Sequence, residues 1–244
     1  GECFARRLAK EGYSLVLVAR RKERLNRLAD ELKAEGTHVV IETADLSKKD
    51  ECLRLMSALG DKRIGVFINN AGFGDCGRFA DTSLDKDLDM IDVNIRAVHI
   101  LTKLVLRKMR SQGGGYLLNV ASSAGLIPAG PYMATYYASK AYVASMTRAV
   151  ARELREEGSQ VYVGALCPGP VNTEFNSVAN VEFALPGITP EYCANYAVDQ
   201  MKRRRTVIVP TFTLKAATTL GRFIPQSAYI AIAGHQQKKK LARR

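Results

Sequence analysis

Six short runs of β-branched and other apolar residues recur along the chain, and none of them alternates apolar with polar positions. They are "SLVLVAR" (14–20), "HVVIETAD" (38–45), "IGVFINNAG" (64–72), "GYLLNVASS" (115–123), "VYVGALCPG" (161–169) and "TVIVPT" (206–211). A strand with one face in water alternates; a strand covered on both faces reads as a continuous apolar run. Between the runs lie segments with helical periodicity, at 2–11, 22–35, 47–59, 85–111, 133–157 and 189–204. Strand followed by helix, repeated, predicts a doubly wound α/β fold: a parallel sheet with right-handed crossovers and helices on both faces. Ligands of such sheets bind at the carboxyl ends of the strands, so residues just after each run are the ones to inspect. With 244 residues, 47% of them hydrophobic, a single domain over 1–244 is expected.

Composition narrows the function. The cysteines (Cys3, Cys52, Cys76, Cys167, Cys193) are scattered and odd in number, with no CxxC pair. That pattern speaks against a disulfide framework or a metal site, and suggests a reducing, cytoplasmic setting. His38, His99 and His235 lie far apart, which disfavours a histidine triad or zinc centre. No apolar run of about 18 residues is present, and a secretory leader is not expected. The net charge is +12, with basic runs at "RRKER" (20–24), "KRRR" (202–205) and "KKKLARR" (238–244). These are read as solvated helix faces and a frayed basic tail over 235–244, with a share serving a phosphate-bearing cofactor, and no nucleic-acid partner is expected.

One stretch asks a chemical question. "MATYYASKAYV" (133–143) places two adjacent tyrosines and a lysine in an otherwise small and apolar helix. Tyr136 and Tyr137 point about 100° apart. Lys140 follows Tyr136 by four residues and Tyr137 by three, and both spacings bring side chains together on a helix. Geometry alone leaves the choice open.

The post-strand motifs resemble those of the short-chain dehydrogenases/reductases over nearly the whole chain. "NNAG" (69–72) ends the third run and "DVNIRA" carries Asn94. "NVASSAG" ends the fourth run, "YYASK" supplies a Y-x-x-x-K, and "PGPVNT" (168–173) matches a P-G-x-V-x-T. Each motif alone is weak; five in order, each at an expected place, are specific. The details look like bacterial ketoreductases. The resemblance implies a Rossmann-type sheet and an NADP(H)-dependent carbonyl reductase, with NAD(H) the less favoured cofactor. It selects Tyr136 as the acid and Lys140 as its partner, and assigns Asn94 to a proton-relaying water chain. The serine stays between two neighbours: register from the strand selects Ser122, spacing back from Tyr136 selects Ser123. Ser122 is preferred, because a loop absorbs an extra residue more easily than a buried strand shifts register. The chemistry is consistent. A free tyrosine titrates near 10, a neighbouring ammonium is expected to lower that value, and a serine hydroxyl steadies a developing alkoxide.

The resemblance also implies the cofactor residues: Gly1, Arg20, Asp45, Asn69, Ala71, Gly72, Asn94, Tyr136, Lys140, Pro168, Gly169, Val171 and Thr173. Arg20 ends the first run with no acidic residue between 14 and 22, as a site for the 2′-phosphate of NADP requires. Cys167 is read as packing. The family's first strand and its T-G-x-x-x-G-x-G turn are absent apart from Gly1, so residues upstream of Gly1 are expected, and without them the runs 14–20 and 64–72 should stand apart with unpaired backbone. Segments 174–205 and 212–234 are expected as substrate cap or subunit interface. Phe175, Phe183 and the lack of Lys or Arg over 174–200 favour an apolar, uncharged carbonyl or alcohol substrate. The long helices around 85–111 and 133–157 imply a homo-dimer or homo-tetramer. The alternatives are a non-catalytic dinucleotide-binding or scaffold protein, and a reductase lying on a membrane surface through the apolar 212–234 segment and its basic tail.

Overall fold

The computed structural model describes residues 1–175 and 187–241. Strands and helices alternate as the apolar runs predict: α1 (Glu2–Lys10), β1 (Leu15–Ala19), α2 (Lys22–Ala34), β2 (Val39–Thr43), α3 (Lys49–Leu59) and β3 (Val66–Asn69). After them come α4 (Leu84–Ile91), α5 (Val98–Ser111), β4 (Gly115–Val120), α6 (Ala134–Glu156), β5 (Val161–Leu166), α7 (Pro190–Lys202), β6 (Val207–Ile208), α8 (Phe212–Leu220) and α9 (Gln226–Leu241). All strand pairs are parallel. The order is β3-β4-β5-β6 in one sheet and β1-β2 in another, and β1 and β3 are not hydrogen-bonded to each other. The separation of the 14–20 and 64–72 runs is thus present.

A common core nevertheless spans both sheets, because alternate residues of each strand serve opposite faces. Leu15 and Leu17 of β1 join Leu118, Tyr162 and Leu166 of the larger sheet beneath α1, α2 and α7. On the other face Leu117, Val161 and Val163 meet Leu59 of α3, Val105 and Met109 of α5 and Leu154 of α6. Every residue of β5 is buried, as its unbroken apolar run requires. Ion pairs fasten the rim: Arg7 of α1 to Asp199 of α7 at 2.8 Å, and Lys202 to Glu11 at 2.7 Å.

Four polar side chains are buried where the sheet meets the helices. Asn119 on β4 accepts from Asn69 Nδ2 at 2.8 Å and from Thr102 Oγ1 at 3.1 Å, and donates to Thr147 Oγ1 at 3.0 Å. The network stitches β3, β4, α5 and α6 together, and its members satisfy one another's buried hydrogen-bonding groups.

Several expectations need correction. The 85–111 helix is interrupted by a π-helical turn, Asp92–Ala97, between α4 and α5. The last apolar run keeps only two strand residues, Val207–Ile208. The supposed frayed tail from 235 is instead helical to Leu241, because Ala233 and Gln237 are buried and anchor that helix. Within 174–205, α7 is a core helix: Ala194, Ala197, Val198 and Met201 pack under the sheet against α1. The remaining cap residues 176–186, Phe183 among them, and the tail residues 242–244 lie outside the described residues.

Replacing Asn119 by Leu removes the hub of the polar network and strands Asn69, Thr102 and Thr147. Urea denaturation should register a loss of about 2–4 kcal/mol with an unchanged m-value; a loss within experimental error of zero would show that the network contributes nothing.

Candidate active site

Helix α6 starts with no side-chain cap and runs 23 residues through the protein. Its first turns carry Tyr136, Tyr137 and Lys140, all buried. The strand β4 leads into them from the other side: it ends at Val120, and Ser122 caps a short 3-10 turn, Ser123–Leu126. Gly125 in that turn lets it lie directly on α6, since a Cβ there would overlap the Lys140 carbonyl. The serine turn and the tyrosine–lysine helix are therefore brought together by backbone contact. Sequence reading did not single out Gly125, although "SSAG" contained it.

The two tyrosines part company here. The hydroxyl of Tyr136 lies beside the Ser122 side chain, which acts to favour its ionised form. The Ser122 Oγ accepts from the Ala124 N–H at 3.1 Å. Tyr137 instead faces α9, where the Gln237 Nε2 donates to its hydroxyl at 2.6 Å. Ser123 is less buried than Ser122, and its N–H donates to the Pro168 carbonyl at 2.8 Å, which holds the "PGPVNT" turn beside the serine. Lys140 Nζ donates to the Val120 carbonyl at 3.0 Å and lies 5.9 Å from the centre of the Tyr136 ring.

Asn94 sits on the π-helical turn and is fully buried. Its amide brackets the backbone of Phe73, donating to the carbonyl at 2.8 Å and accepting from the N–H at 3.1 Å. It also donates to Ser139 Oγ at 3.1 Å. A widened helical turn inside an α-helix often marks a functional site, and Ser139, between the tyrosines and Lys140, is a supporting residue the sequence reading missed. Gly72 closes the group: a Cβ there would stand 2.9 Å from Asn94 Oδ1 and 3.0 Å from Lys140 Nζ. Only glycine leaves that face of the lysine and asparagine open.

Burial dominates the proton equilibria. The Tyr136 phenol is pushed up to about 12 by desolvation, partly opposed by the neighbouring Ser122 side chain. Desolvation lowers the Lys140 ammonium to about 8. The expectation that Lys140 draws the phenol below its ordinary value is corrected. The ammonium is engaged with the Val120 carbonyl, and loss of water is the largest influence on the phenol. Near neutrality the pair is neutral tyrosine and charged lysine.

The other predicted residues sort by distance from this cluster. Asn69 is not presented to the cleft; its amide is turned inward to Asn119 and Thr102, leaving its main chain as the part that can meet a ligand. Ala71 is exposed just beyond it. Gly1, at the start of α1, lies against the Asn70 side chain. Pro168 and Gly169 follow β5, and Val171 bridges to Ile188. Thr173 accepts from the Phe175 N–H at 3.3 Å, and Phe175 packs 5.4 Å from the Tyr136 ring, tilted. Arg20 and Asp45 form a separate edge at the ends of β1 and β2. Burial tends to raise the Asp45 carboxyl, but two hydrogen bonds from Ser47 and the charge of Arg20 hold it below its ordinary value. Arg21 and Arg24 are paired with Glu174, at 3.1 and 2.5 Å. Among the described residues there is no metal-binding cluster of His, Cys, Asp or Glu, and no helix long and apolar enough to cross a membrane.

A family profile described as short chain dehydrogenase matches residues 1–182. The chain is 33% identical over 204 residues to a very-long-chain 3-oxoacyl-CoA reductase of Anas platyrhynchos, covering 81% of this chain and 64% of that one. It is 32% identical over 184 residues to the 17-beta-hydroxysteroid dehydrogenase type 3 of Mus musculus, covering 74% and 59%. The chain thus spans less than two thirds of the length of these curated relatives. Among solved structures, a short-chain dehydrogenase from Sphingobium yanoikuyae in complex with NADPH superposes with a TM-score of 0.82 at 31% identity, over 93% of this chain and 92% of the other. One from Burkholderia phymatum in complex with NAD superposes with a TM-score of 0.83 at 26% identity, over 91% and 89%.

The buried lysine has a measurable signature. With a folded-state value of about 8 against 10.5 for the free group, the unfolded chain binds more protons between those pH values, so stability rises with pH across that window. Below about pH 8 both states are protonated and the cost of burying the charge is fully expressed. The stability difference between Lys140→Met and wild type should therefore be flat below pH 8 and shift in favour of wild type up to about pH 10.5. Thermal melts of both proteins across this range test it; a constant difference throughout would mean the ammonium is not desolvated.

Proposed function

This chain belongs to the short-chain dehydrogenase family, and we propose that it is an NADP(H)-dependent oxidoreductase that interconverts an apolar, uncharged ketone or aldehyde and its alcohol. The observation that carries this reading is the convergence of Ser122, Tyr136, Lys140 and Asn94, four buried polar groups, at the carboxyl ends of β3 and β4. Burying such groups costs stability that hydrogen bonds only offset, and a scaffold has no use for all four.

The residues fit a nicotinamide dinucleotide. Gly72 keeps one side of Lys140 and Asn94 open; the Lys140 ammonium has three donors, of which the Val120 carbonyl takes one; and the start of α1 adjoins the "NNAG" turn, offering a helix N-terminus to a diphosphate. Lys140 would hold the nicotinamide ribose, Val171 and Thr173 the carboxamide side, and Asp45 with the main chain of Asn69, Ala71 and Gly72 the adenosine end. When bound, the cofactor supplies or accepts the hydride. Ser122 hydrogen-bonds the substrate oxygen, and Tyr136, neutral near pH 7, donates its proton to that oxygen as negative charge grows there. Lys140 then stabilises the tyrosinate, and Asn94 anchors the path that returns the proton. Phe73, Met133, Tyr132, Cys76 and Phe175, which pack around Tyr136, make an apolar surround and support an uncharged substrate. Partly exposed Leu88, Ile91 and Tyr142 on α4 and α6 support a homo-oligomer joined through these helices.

Tyr136→Phe should reduce kcat by at least a hundredfold, in the range expected of a general acid, with cofactor binding retained. Tyr137→Phe should keep most activity, and Ser122→Ala should cost far more than Ser123→Ala. Steady-state kinetics on a panel of aliphatic and aryl ketones decides this; equal losses at the two tyrosines would overturn the assignment, and full activity of Tyr136→Phe would favour a non-catalytic role.

The NADP preference rests on Arg20. Arg21 and Arg24 are occupied by Glu174, whereas Arg20 stands at the strand end facing Asp45, and a guanidinium can hold a phosphate through two parallel bonds. The Arg20→Asp variant should lower kcat/KM with NADPH by roughly tenfold or more, the scale of one charge-assisted contact, and improve NADH relative to it. An unchanged ratio of the two cofactors would rule Arg20 out as the selector.

A further inference from the structure

The net charge of +12 is almost all carried by the last part of the chain. Residues 200–244 hold 11 Lys and Arg and no acidic residue, whereas residues 1–199 hold 25 basic against 24 acidic. The same region exposes large apolar side chains. Phe212 is 85% exposed, Leu220 63%, Phe223 84% and Ile224 40%. Phe212 and Leu220 stand at the two ends of α8, about 12 Å apart along its axis, Phe223 lies in the turn that follows, Gly221–Phe223, and Ile224 comes just after it. Lys215 and Arg222 are exposed among them, and Lys238 lies on the exposed side of α9 together with Ile232. The opposite side of α9 is anchored: Gln237 donates to Tyr137, and Gly234 packs on Pro131. Helix α8 is held too, through buried Thr218 and the packing of Leu214 on the core, so the apolar and basic side chains are presented by docked elements.

We propose that this surface binds an anionic lipid bilayer, with the exposed apolar side chains of the Phe212–Ile224 segment inserted at the level of the headgroups and Lys215, Arg222 and Lys238 on the phosphates. Exposed phenylalanines on a soluble protein lower their free energy by leaving water, and an acid-free basic surround is attracted to anionic headgroups. A second copy of the chain is a poor occupant, because two such surfaces carry the same charge and repel. Nucleic acid would use the aromatic rings for stacking, but Leu220 and Ile224 cannot stack on bases and can enter hydrocarbon.

The test is flotation of the full chain with vesicles of phosphatidylcholine alone, or of phosphatidylcholine and phosphatidylglycerol in equal parts, with a cooperative thermal melt as the check on folding and ketone reduction measured in parallel. Wild type should float with the anionic vesicles and not with the neutral ones, and less as salt is raised. Lys215→Glu and Arg222→Glu should each weaken binding about fivefold or more. Phe212→Ser with Phe223→Ser should weaken it roughly tenfold or more, with the thermal melt of wild type retained. The proposal is overturned by absence of binding to anionic vesicles. It is also overturned if the phenylalanine variant binds vesicles as wild type does, if a single-stranded oligonucleotide competes the protein off vesicles through Phe212 and Phe223, or if the same variant dissociates an oligomer that wild type forms without lipid. Because ketone reduction is read separately, failure here leaves the catalytic reading standing, and failure of the catalytic reading leaves this one standing.

Discussion

A single buried cation joins the two halves of the site. Lys140 rises from α6 and donates to the carbonyl of Val120, the last residue of β4, with 4% of its surface exposed. An ammonium in that position is costly to bury unless it is paired and hydrogen-bonded. The structure surrounds it accordingly: Gly125 lets the serine turn touch the helix just at the lysine's carbonyl, and Gly72 yields space beside the ammonium itself. Asn94 and Tyr136 then fall within reach of the same point. Displacing α6 by even a fraction of an ångström would disturb all of these contacts together, since close-packed interiors transmit small shifts.

The same helix is secured from its other side by the end of the chain. Tyr137 and Tyr136 are neighbours in sequence with opposite surroundings: one hydroxyl meets Gln237 of α9, the other meets Ser122. Their rings pack edge to face at 6.4 Å, so the docking of α9 is felt one ring away from the proposed acid. The C-terminal helix therefore supports the active-site helix while its outer side faces solvent.

Beneath the site, the buried Asn69–Asn119–Thr102–Thr147 network holds β3 and β4 in register with α5 and α6. Its location explains why "NNAG" is not simply a ligand-binding turn. The first asparagine is spent on the sheet, and only the residues after it turn outward. At the far edge, β1 and β2 pair with each other and not with β3. They share the core under α1 and α7, which places Arg20 and Asp45 on their own rim, away from the tyrosine and lysine.

Much of this was legible in the residue order. Continuous apolar runs between periodic segments announced parallel strands and helices on both faces, because burial on two sides leaves no reason to alternate. The order of "NNAG", Asn94, the serines, "YYASK" and "PGPVNT" announced the family and its chemistry. What the sequence could not determine was the setting of each residue. Tyr136 and Tyr137 both suit Lys140 by helical spacing, and the resemblance rather than geometry favoured Tyr136, as strand register favoured Ser122 over Ser123; the packing of α9 and the serine turn against α6 gives the neighbours different partners. The π-helical turn at Asn94, the inward side chain of Asn69 and the upward shift of the Tyr136 phenol arise from contacts between residues far apart in the chain. Desolvation and hydrogen-bond partners belong to the assembled interior, and local periodicity carries no record of them.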